Sequence, residues 1–487
     1  MEPIKFTISD IQTALGVNAD PAQTENPIFH TVETDSRSID TNGLFVALEG
    51  ENFNGHSFIP DLLEKGVRGF VVNKTFAASI SSDTAGLIRQ HKAAVFAVEN
   101  TVKALGKLAR HQRRRSGVKV VAVTGSNGKT STRKMLAGIF NLEYKALCTR
   151  GNMNNEIGLP LTLLPLSEHH EWAVVEMGMN HFGEIERLSN IAVPDIAIIT
   201  NTSGAHLEGV RDVDGVARAK SEIFSRMNTN GTAVLPAFDP RVEIMTARAQ
   251  ENPAIGKIVY FGKGSGPYGI TAESEKIEND GLAFTVRLSL DETMDVRLKS
   301  PASFMIDNAL AACAASRAAG INPETIKAGL EAFTPVEGRM NVSRMEGGIT
   351  IIDDTYNANP ASMKAAIKTL KTLAGRGKSI AVLGDMFELG DKAASFHEEL
   401  GRFAAETGIS KLFCHGDLAG DMVKGAEKGG FSSTNTLIGT KEDIGKAVLK
   451  AAEKQPTWVL VKGSRSMKME EVIEIIQTLS VKEESGN

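Results

Sequence analysis

Val120-Val121-Ala122-Val123-Thr124-Gly125-Ser126-Asn127-Gly128-Lys129-Thr130 decides the fold. An apolar run turns through two glycines into Lys-Thr, and Met135, Leu136, Ile139 and Phe140 then recur on one helical face. This is the pattern of a buried strand, a tight turn and a helix, in which backbone N–H groups and a helix N-terminus converge on an anion. Gly125, Ser126, Asn127, Gly128, Lys129, Thr130 and Ser131 are therefore candidate ATP-binding residues. Lys129 is placed to neutralise the β and γ phosphates, and Thr130 to ligate magnesium. A strict GxxxxGK[ST] motif would put a glycine at Val123, so this loop is a shortened form.

Outward from the loop, apolar runs at residues 118–123, 172–175, 196–200 and 232–235 alternate with helical segments, as parallel strands covered on both faces do. After about Gly262 the pattern alternates around Asp280-Gly281, which predicts an antiparallel section beside the parallel sheet. Upstream, the runs 43–48 and 69–72 mix with Asn- and Gly-rich turns. Downstream, strand-like runs at 350–352, 379–383, 411–414 and 458–461 are again separated by helices. No GxGxxG follows any of them, which argues against a dinucleotide site. The expected fold is α/β with three domains in series: a small N-terminal α/β domain (1–112), a central P-loop ATPase-like, mostly parallel sheet (113–335), and a C-terminal Rossmann-like doubly wound sheet (336–487).

Composition supports several units. The 487 residues are 42% hydrophobic and 23% charged, more chain than one core normally serves. A net charge of −5 gives no general attraction to nucleic acid or anionic lipid. The basic run 110–115 lacks interleaved aromatics and reads as a solvated helix end. Cys148, Cys313 and Cys414 are distant and odd in number, which argues against a disulfide framework or structural zinc and fits a reducing cytoplasm. Residues 1–10 carry no apolar targeting segment, and the apolar stretch 302–319 is interrupted by Asp307, Asn308 and Arg317, so no membrane insertion is expected.

Magnesium needs further oxygen or nitrogen ligands, and these gather at the ends of neighbouring parallel strands. Glu176 ends one such strand, and His206 follows the next.

At this point the residues resemble the Mur ligases over nearly the whole chain. The resemblance is carried by Thr34-Asp35-Ser36-Arg37, residues 44–56 (LFVALEGENFNGH), the phosphate loop 124–130, Asn154-Asn155-Glu156-Ile157-Gly158-Leu159-Pro160-Leu161-Thr162, residues 353–360 (DDTYNANP) and residues 383–390 (LGDMFELG). Within the family the motifs look like those of the member joining D-alanyl-D-alanine to UDP-N-acetylmuramoyl-tripeptide in peptidoglycan precursor synthesis. The implied chemistry is phosphorylation of the tripeptide carboxylate by ATP, attack by the dipeptide amine, and loss of phosphate from a tetrahedral intermediate. A monomeric enzyme is expected, and the third stem residue, diaminopimelate or lysine, stays open.

The resemblance also implies site roles. Glu176 and His206 match magnesium ligands. Lys220 matches a lysine that is carbamylated, turning a cation into an anion able to hold the second of two magnesium ions. Asn308 matches the adenine contact, Arg339 the arginine reaching the γ-phosphate, and Asp354 the ribose contact, with Tyr356 in the same loop. Lys129, Lys220, His206 and Arg339 thus form the expected catalytic set. Ser36, Arg37, Asn54 and His56 match the UDP pocket of the first domain, Asn154 and Asn155 match substrate contacts, and Asn357, Asn359 and Asp385 are candidates for the dipeptide. Lys462-Gly463-Ser464-Arg465 matches a motif of unassigned role. Phe304 stands where the family usually has histidine, and Ser203 where glycine is commoner. The alternatives are a sibling ligase adding the third stem residue, whose diaminopimelate-adding form would carry a D-N-P-R sequence that is missing here, a folylpolyglutamate synthase, and a GTPase-like switch, for which an N-K-x-D motif is missing.

Overall fold

The computed structural model describes residues 5–20, 27–51, 53–204, 207–263, 269–278, 281–452 and 455–485. Its centre is a nine-stranded sheet ordered Ala146–Cys148, Trp172–Glu176, Lys119–Thr124, Ile196–Ile199, Gly231–Pro236, Ile255–Lys263, Gly269–Glu278, Gly281–Arg287 and Thr293–Leu298. The first seven strands run parallel, and the last two complete an antiparallel end of the same sheet. The antiparallel section expected beside the parallel sheet is thus continuous with it, while the turn residue Asp280 lies outside the described residues. The apolar runs become the central strands because both their faces are covered: Trp172–Glu176 and Ile196–Ile199 are buried throughout.

The chain leaves Lys119–Thr124, visits the two strands on one side, and then crosses to Ile196–Ile199 on the other. Strand order therefore reverses beside Lys119–Thr124, the position where open α/β sheets bind ligands. The helix Lys129–Glu143 buries Met135, Leu136, Ile139 and Phe140, with the Phe140 ring edge-on to Trp172 at 5.1 Å.

The first unit is a five-stranded sheet, ordered Ala19–Asp20, Ala94–Val98, Gly69–Asn73, Gly43–Val46 and Thr31–Glu33, parallel except for its first strand. The last unit is a six-stranded sheet, ordered Asn341–Arg344, Ile349–Asp353, Thr457–Lys462, Lys378–Gly384, Lys411–His415 and Thr436–Ile438, again parallel except at one edge. Among the described residues no helix is long and apolar enough to cross a membrane.

The basic run corrects the sequence reading. It lies in the helix Thr101–Ser116, which continues past residue 112; Arg114 and Arg115 are exposed as expected, but the middle of the run is buried. Gln112 and Arg113 are 4% and 6% exposed. Arg113 donates through Nε to Ala192 O (3.0 Å) and through Nη2 to Val193 O (3.2 Å) and Asp195 Oδ2 (3.0 Å). Its guanidinium serves the carbonyls at the end of the helix Glu184–Ala192, where a cation is favoured.

Candidate active site

The phosphate loop is shaped by contacts that only glycine permits. Gly125 has φ +148°, and a Cβ there would fall 1.8 Å from Thr200 Oγ1. Gly128 has φ +82°, and a Cβ there would fall 2.1 Å from Asn308 Oδ1. The adenine candidate Asn308, on the buried helix Met305–Ala318, is thereby held against the loop.

The segment after Ile196–Ile199 fixes the loop's other side. Ser126 Oγ donates to Ser203 O (3.1 Å) and accepts from Ser203 N (2.9 Å). Asn127 N donates to Asn201 Oδ1 (3.1 Å), and Asn127 O accepts from Thr200 Oγ1 (2.6 Å) and Asn201 Nδ2 (3.0 Å). That segment is anchored in turn by Asp239, 4% exposed, whose carboxylate accepts from both the N–H and the hydroxyl of Thr202. Asp239 carries no motif, and only its place just beyond the strand Gly231–Pro236 signals it.

Lys129 Nζ donates to Gly125 O (2.7 Å) and Ser126 O (3.3 Å). Burial pushes its pKa down, with Glu176 opposing and the Arg339 guanidinium adding to the fall. Lys220, on the helix Val213–Ser221, is 1% exposed, and burial together with the charge of Lys129 drives its amine well below the usual lysine range. Cationic groups therefore converge where the loop would receive phosphates, an arrangement completed by anions.

Glu176, the metal-ligand candidate at the end of its strand, is 2% exposed. Its Oε1 accepts from Asn154 Nδ2 (2.9 Å), and its Oε2 lies 3.3 Å from Arg133 Nε. Arg133, on the loop helix, was not anticipated from sequence; an arginine at solvent-facing helical spacing gives no signal. His206 lies outside the described residues. Among the described residues no three His, Cys, Asp or Glu side chains gather as a ligand cage. Magnesium fits this donor set, because it is ordinarily held by one or two protein groups with waters and phosphate oxygens supplying the rest.

A cavity of about 860 Å³ opens at the meeting of the three units and brings together the phosphate loop, Asn154, Asn155, Glu176, Asn308, Arg339, Asp354, Tyr356, Asn357 and Asn359. Phe304 also lines it. Arg339 lies with Cζ 4.1 Å from the centre of the Tyr356 ring, a cation–π stack, and its buried Nε has no hydrogen-bond partner among the described residues. Asp354 is held by Lys462, whose Nζ reaches Asp354 Oδ2 at 2.6 Å and Asn357 O at 2.8 Å. The unassigned lysine of the 462–465 motif thus orients the ribose candidate. Burial raises the Asp354 pKa, and Lys462 opposes the rise.

Asp307 lines the same cavity, with Oδ1 buried and unpartnered. Burial raises its carboxyl to about 6. A raised carboxylate pKa costs stability above the unfolded value, increasingly until the folded value is passed. Asp307→Asn is thus expected to stabilise the protein by about 1 kcal/mol at pH 8, discounted for partial exposure, and not at pH 4. Thermal melts at the two pH values check this, and an equal gain at both would contradict it.

Other candidates stand apart from the cavity. Ser36 and Arg37 sit in a turn after Thr31–Glu33, and Asn54 ends the short strand Phe53–Asn54, which pairs with Glu49–Gly50 after Gly43–Val46. Arg37 is exposed and paired with Asp35 at 2.6 Å, which holds that carboxyl down at about 2. His56 is 2% exposed; its Nδ1 meets Asn54 Oδ1 at 2.8 Å and its Nε2 accepts from Asn73 N at 3.1 Å, so its ring braces the loop. Asp385, 2% exposed, spends its carboxylate on the N–H groups of Asp417 and Leu418, ahead of the helix Ala419–Lys428. It does not line the cavity.

Comparison with known proteins covers all three units. Family models match at residues 28–113 (Mur ligase family, catalytic domain), 123–316 (Mur ligase middle domain) and 338–465 (Mur ligase, glutamate ligase domain). The chain is 35% identical over 472 residues to the UDP-N-acetylmuramoyl-tripeptide--D-alanyl-D-alanine ligase of Bacillus subtilis, covering 96% of this chain and 98% of that protein. The crystal structure of MurF from Acinetobacter baumannii superposes with a TM-score of 0.88 at 31% identity, covering 98% of this chain and 100% of the other. A MurF ligase from Thermotoga maritima in complex with ADP gives a TM-score of 0.78 at 28% identity, with 92% and 97% covered. With likeness of this extent running through every unit, and the phosphate loop at its centre, the chain belongs to the Mur ligase family.

Proposed function

We propose that this chain is an ATP-dependent ligase that joins D-alanyl-D-alanine to UDP-N-acetylmuramoyl-tripeptide in the cytoplasm, making the pentapeptide precursor of peptidoglycan. The observation that carries the reading is the single cavity in which the phosphate loop of the central unit faces Arg339, Asp354 and Tyr356 of the last. The Bacillus subtilis relative is named for this ligation, and the Thermotoga maritima MurF ligase was crystallised with ADP.

In this reading a tripeptide carboxylate oxygen attacks the γ-phosphorus of ATP while the bond to ADP breaks. The dipeptide amine then adds to the acyl-phosphate carbon and loses a proton, and the carbon–oxygen bond to phosphate breaks. Phosphorylation turns a poor electrophile into one with a leaving group, so the protein's task is positioning and charge stabilisation. Lys129 and the loop N–H groups cradle the phosphates, Arg339 closes on the γ-phosphate, Asn308 holds adenine, and Asp354 holds ribose. Magnesium, which Thr130, Glu176 and His206 would hold, neutralises charge on the transferred phosphoryl group. Lys220, kept as a neutral amine, can add to carbon dioxide with loss of a proton, and the resulting carbamate would supply an anionic oxygen ligand for a second magnesium. Asn154 and Asn155 would contact the tripeptide, Asn357 and Asn359 would lie beside the incoming dipeptide, and Ser36, Arg37, Asn54 and His56 would form the UDP end.

Purified protein is expected to release phosphate from ATP only when both UDP-N-acetylmuramoyl-tripeptide and D-alanyl-D-alanine are supplied. Equal release without the dipeptide would refute ligation.

A further inference from the structure

Asn127 sits at the tip of the phosphate loop, and its backbone is already fully engaged by Thr200 and Asn201. Its side chain does something else: it bridges two units. Asn359 Nδ2 donates to Asn127 Oδ1 at 2.8 Å, and Asn127 Nδ2 donates to Ser203 Oγ at 3.0 Å. Asn359 is also the N-cap of the helix Pro360–Ala374, its Oδ1 accepting from Ser362 N at 2.9 Å.

The directions of these bonds are not interchangeable. The cap commits the oxygen of Asn359 to the helix and leaves only its NH₂ to face the loop. Asn127 must then present oxygen to Asn359, which turns its own NH₂ toward an acceptor, and Ser203 Oγ is that acceptor. A polarised relay runs from the helix start, through the loop tip, to the segment anchored by Asp239. The sequence suggested Asn359 as a dipeptide contact, but its amide is aimed at the nucleotide loop.

We infer that Asn127, Asn359 and Ser203 form an interdomain latch: positioning residues through which docking of the last unit sets the geometry of the phosphate loop. The latch lies beside the loop carbonyls that hold Lys129, and it closes only when the Asn359 helix start is seated on the central unit. Its effect on catalysis rests on the ligase reading, whereas its effect on domain docking does not.

Asn359→Asp tests it. Aspartate keeps the helix cap but replaces the amide donor with a carboxylate oxygen, so the Asn127 amide must either face it oxygen to oxygen or turn over and reverse the relay through Ser203. The thermal midpoint is expected to hold, kcat/KM for ATP to fall about tenfold or more, the size of a net hydrogen bond turned repulsive, and the loss to sit mainly in kcat. Labels at exposed Gln250 and Ser433, read with ADP bound, are expected to show a longer and broader distance in the variant than in the parent protein. Should the aspartate variant fail to fold, Asn359→Ser keeps the cap acceptor and removes the amide donor. In the cycle of Asn127→Ala with Asn359→Ser, the double variant is expected to be no worse than the poorer single. Strictly additive losses, or unchanged distances, would overturn the latch. Absence of dipeptide-dependent phosphate release from the parent protein would instead count against the ligase reading.

Discussion

Lys129→Ala is expected to lower kcat for phosphate release by about two to three orders of magnitude, corresponding to ~3–4 kcal/mol of lost transition-state stabilisation. The lysine is held between Gly125 O and Ser126 O at the base of the loop, so its charge is preorganised where negative charge shifts during transfer. The variant should nevertheless fold well. A lysine whose pKa is lowered on folding costs stability while it is charged, and here the neighbouring arginine contributes to that cost. Removing it ends the cost of burying its charge and relieves repulsion with Arg339, so the thermal midpoint should hold or rise while activity collapses. Pre-steady-state phosphate release and a melting curve on the same sample measure both. An activity within threefold of the parent protein would remove Lys129 from the phosphoryl-transfer step.

Lys220→Ala is the second large effect, with activity expected to fall by about two orders of magnitude if a carbamate there stabilises a metal-bound phosphoryl group. Only a neutral amine adds to carbon dioxide, and Lys220 has the environment that favours one: it is buried, with Lys129 nearby to oppose its protonation. Bicarbonate should not restore the alanine variant, because the nitrogen is gone. A short carboxylic acid, entering the space left behind, should restore part of the activity. With ¹³C-labelled bicarbonate the parent protein should show a carbamate carbonyl resonance that the variant lacks. Full activity in Lys220→Ala would end the carbamate role.

The strands legible in the sequence were those buried on both faces. The run 172–175 corresponds to Trp172–Glu176, and 411–414 to Lys411–His415. Ala146–Cys148, Asn341–Arg344 and Thr436–Ile438 were missed because they lie at sheet edges and are only three or four residues long, too short for a pattern to stand out. Ile255–Lys263 is interior but half-exposed over most of its length, which masks it in the same way. In the site, residues within compact motifs could be found: the structure brings the phosphate loop, Glu176, Asn308, Arg339 and Asp354 to one cavity. What sequence could not show was which polar groups are already spent. Asp385 caps a helix start and His56 braces a loop, and both facts depend on partners distant in the chain. Asp239 and Arg133 were invisible for the complementary reason, since each is a single polar residue made important by what it touches.

The helix Thr101–Ser116 gives the first two units a common fate. Gln112 donates to Leu166 O, Arg113 ties down the carbonyls after Glu184–Ala192, and one apolar cluster runs from Phe6 and Leu105 through Val120 to Leu163 without a break. Severing the chain at Gly117 would strip apolar cover from both sides and leave a buried guanidinium facing lost carbonyls, a severe penalty for either fragment. The first two sheets thus share one core, and a second unbroken cluster, from Met135 and Phe333 to Met363 and Leu383, couples the central sheet to the last, so that a cut at either junction would be felt by the central unit.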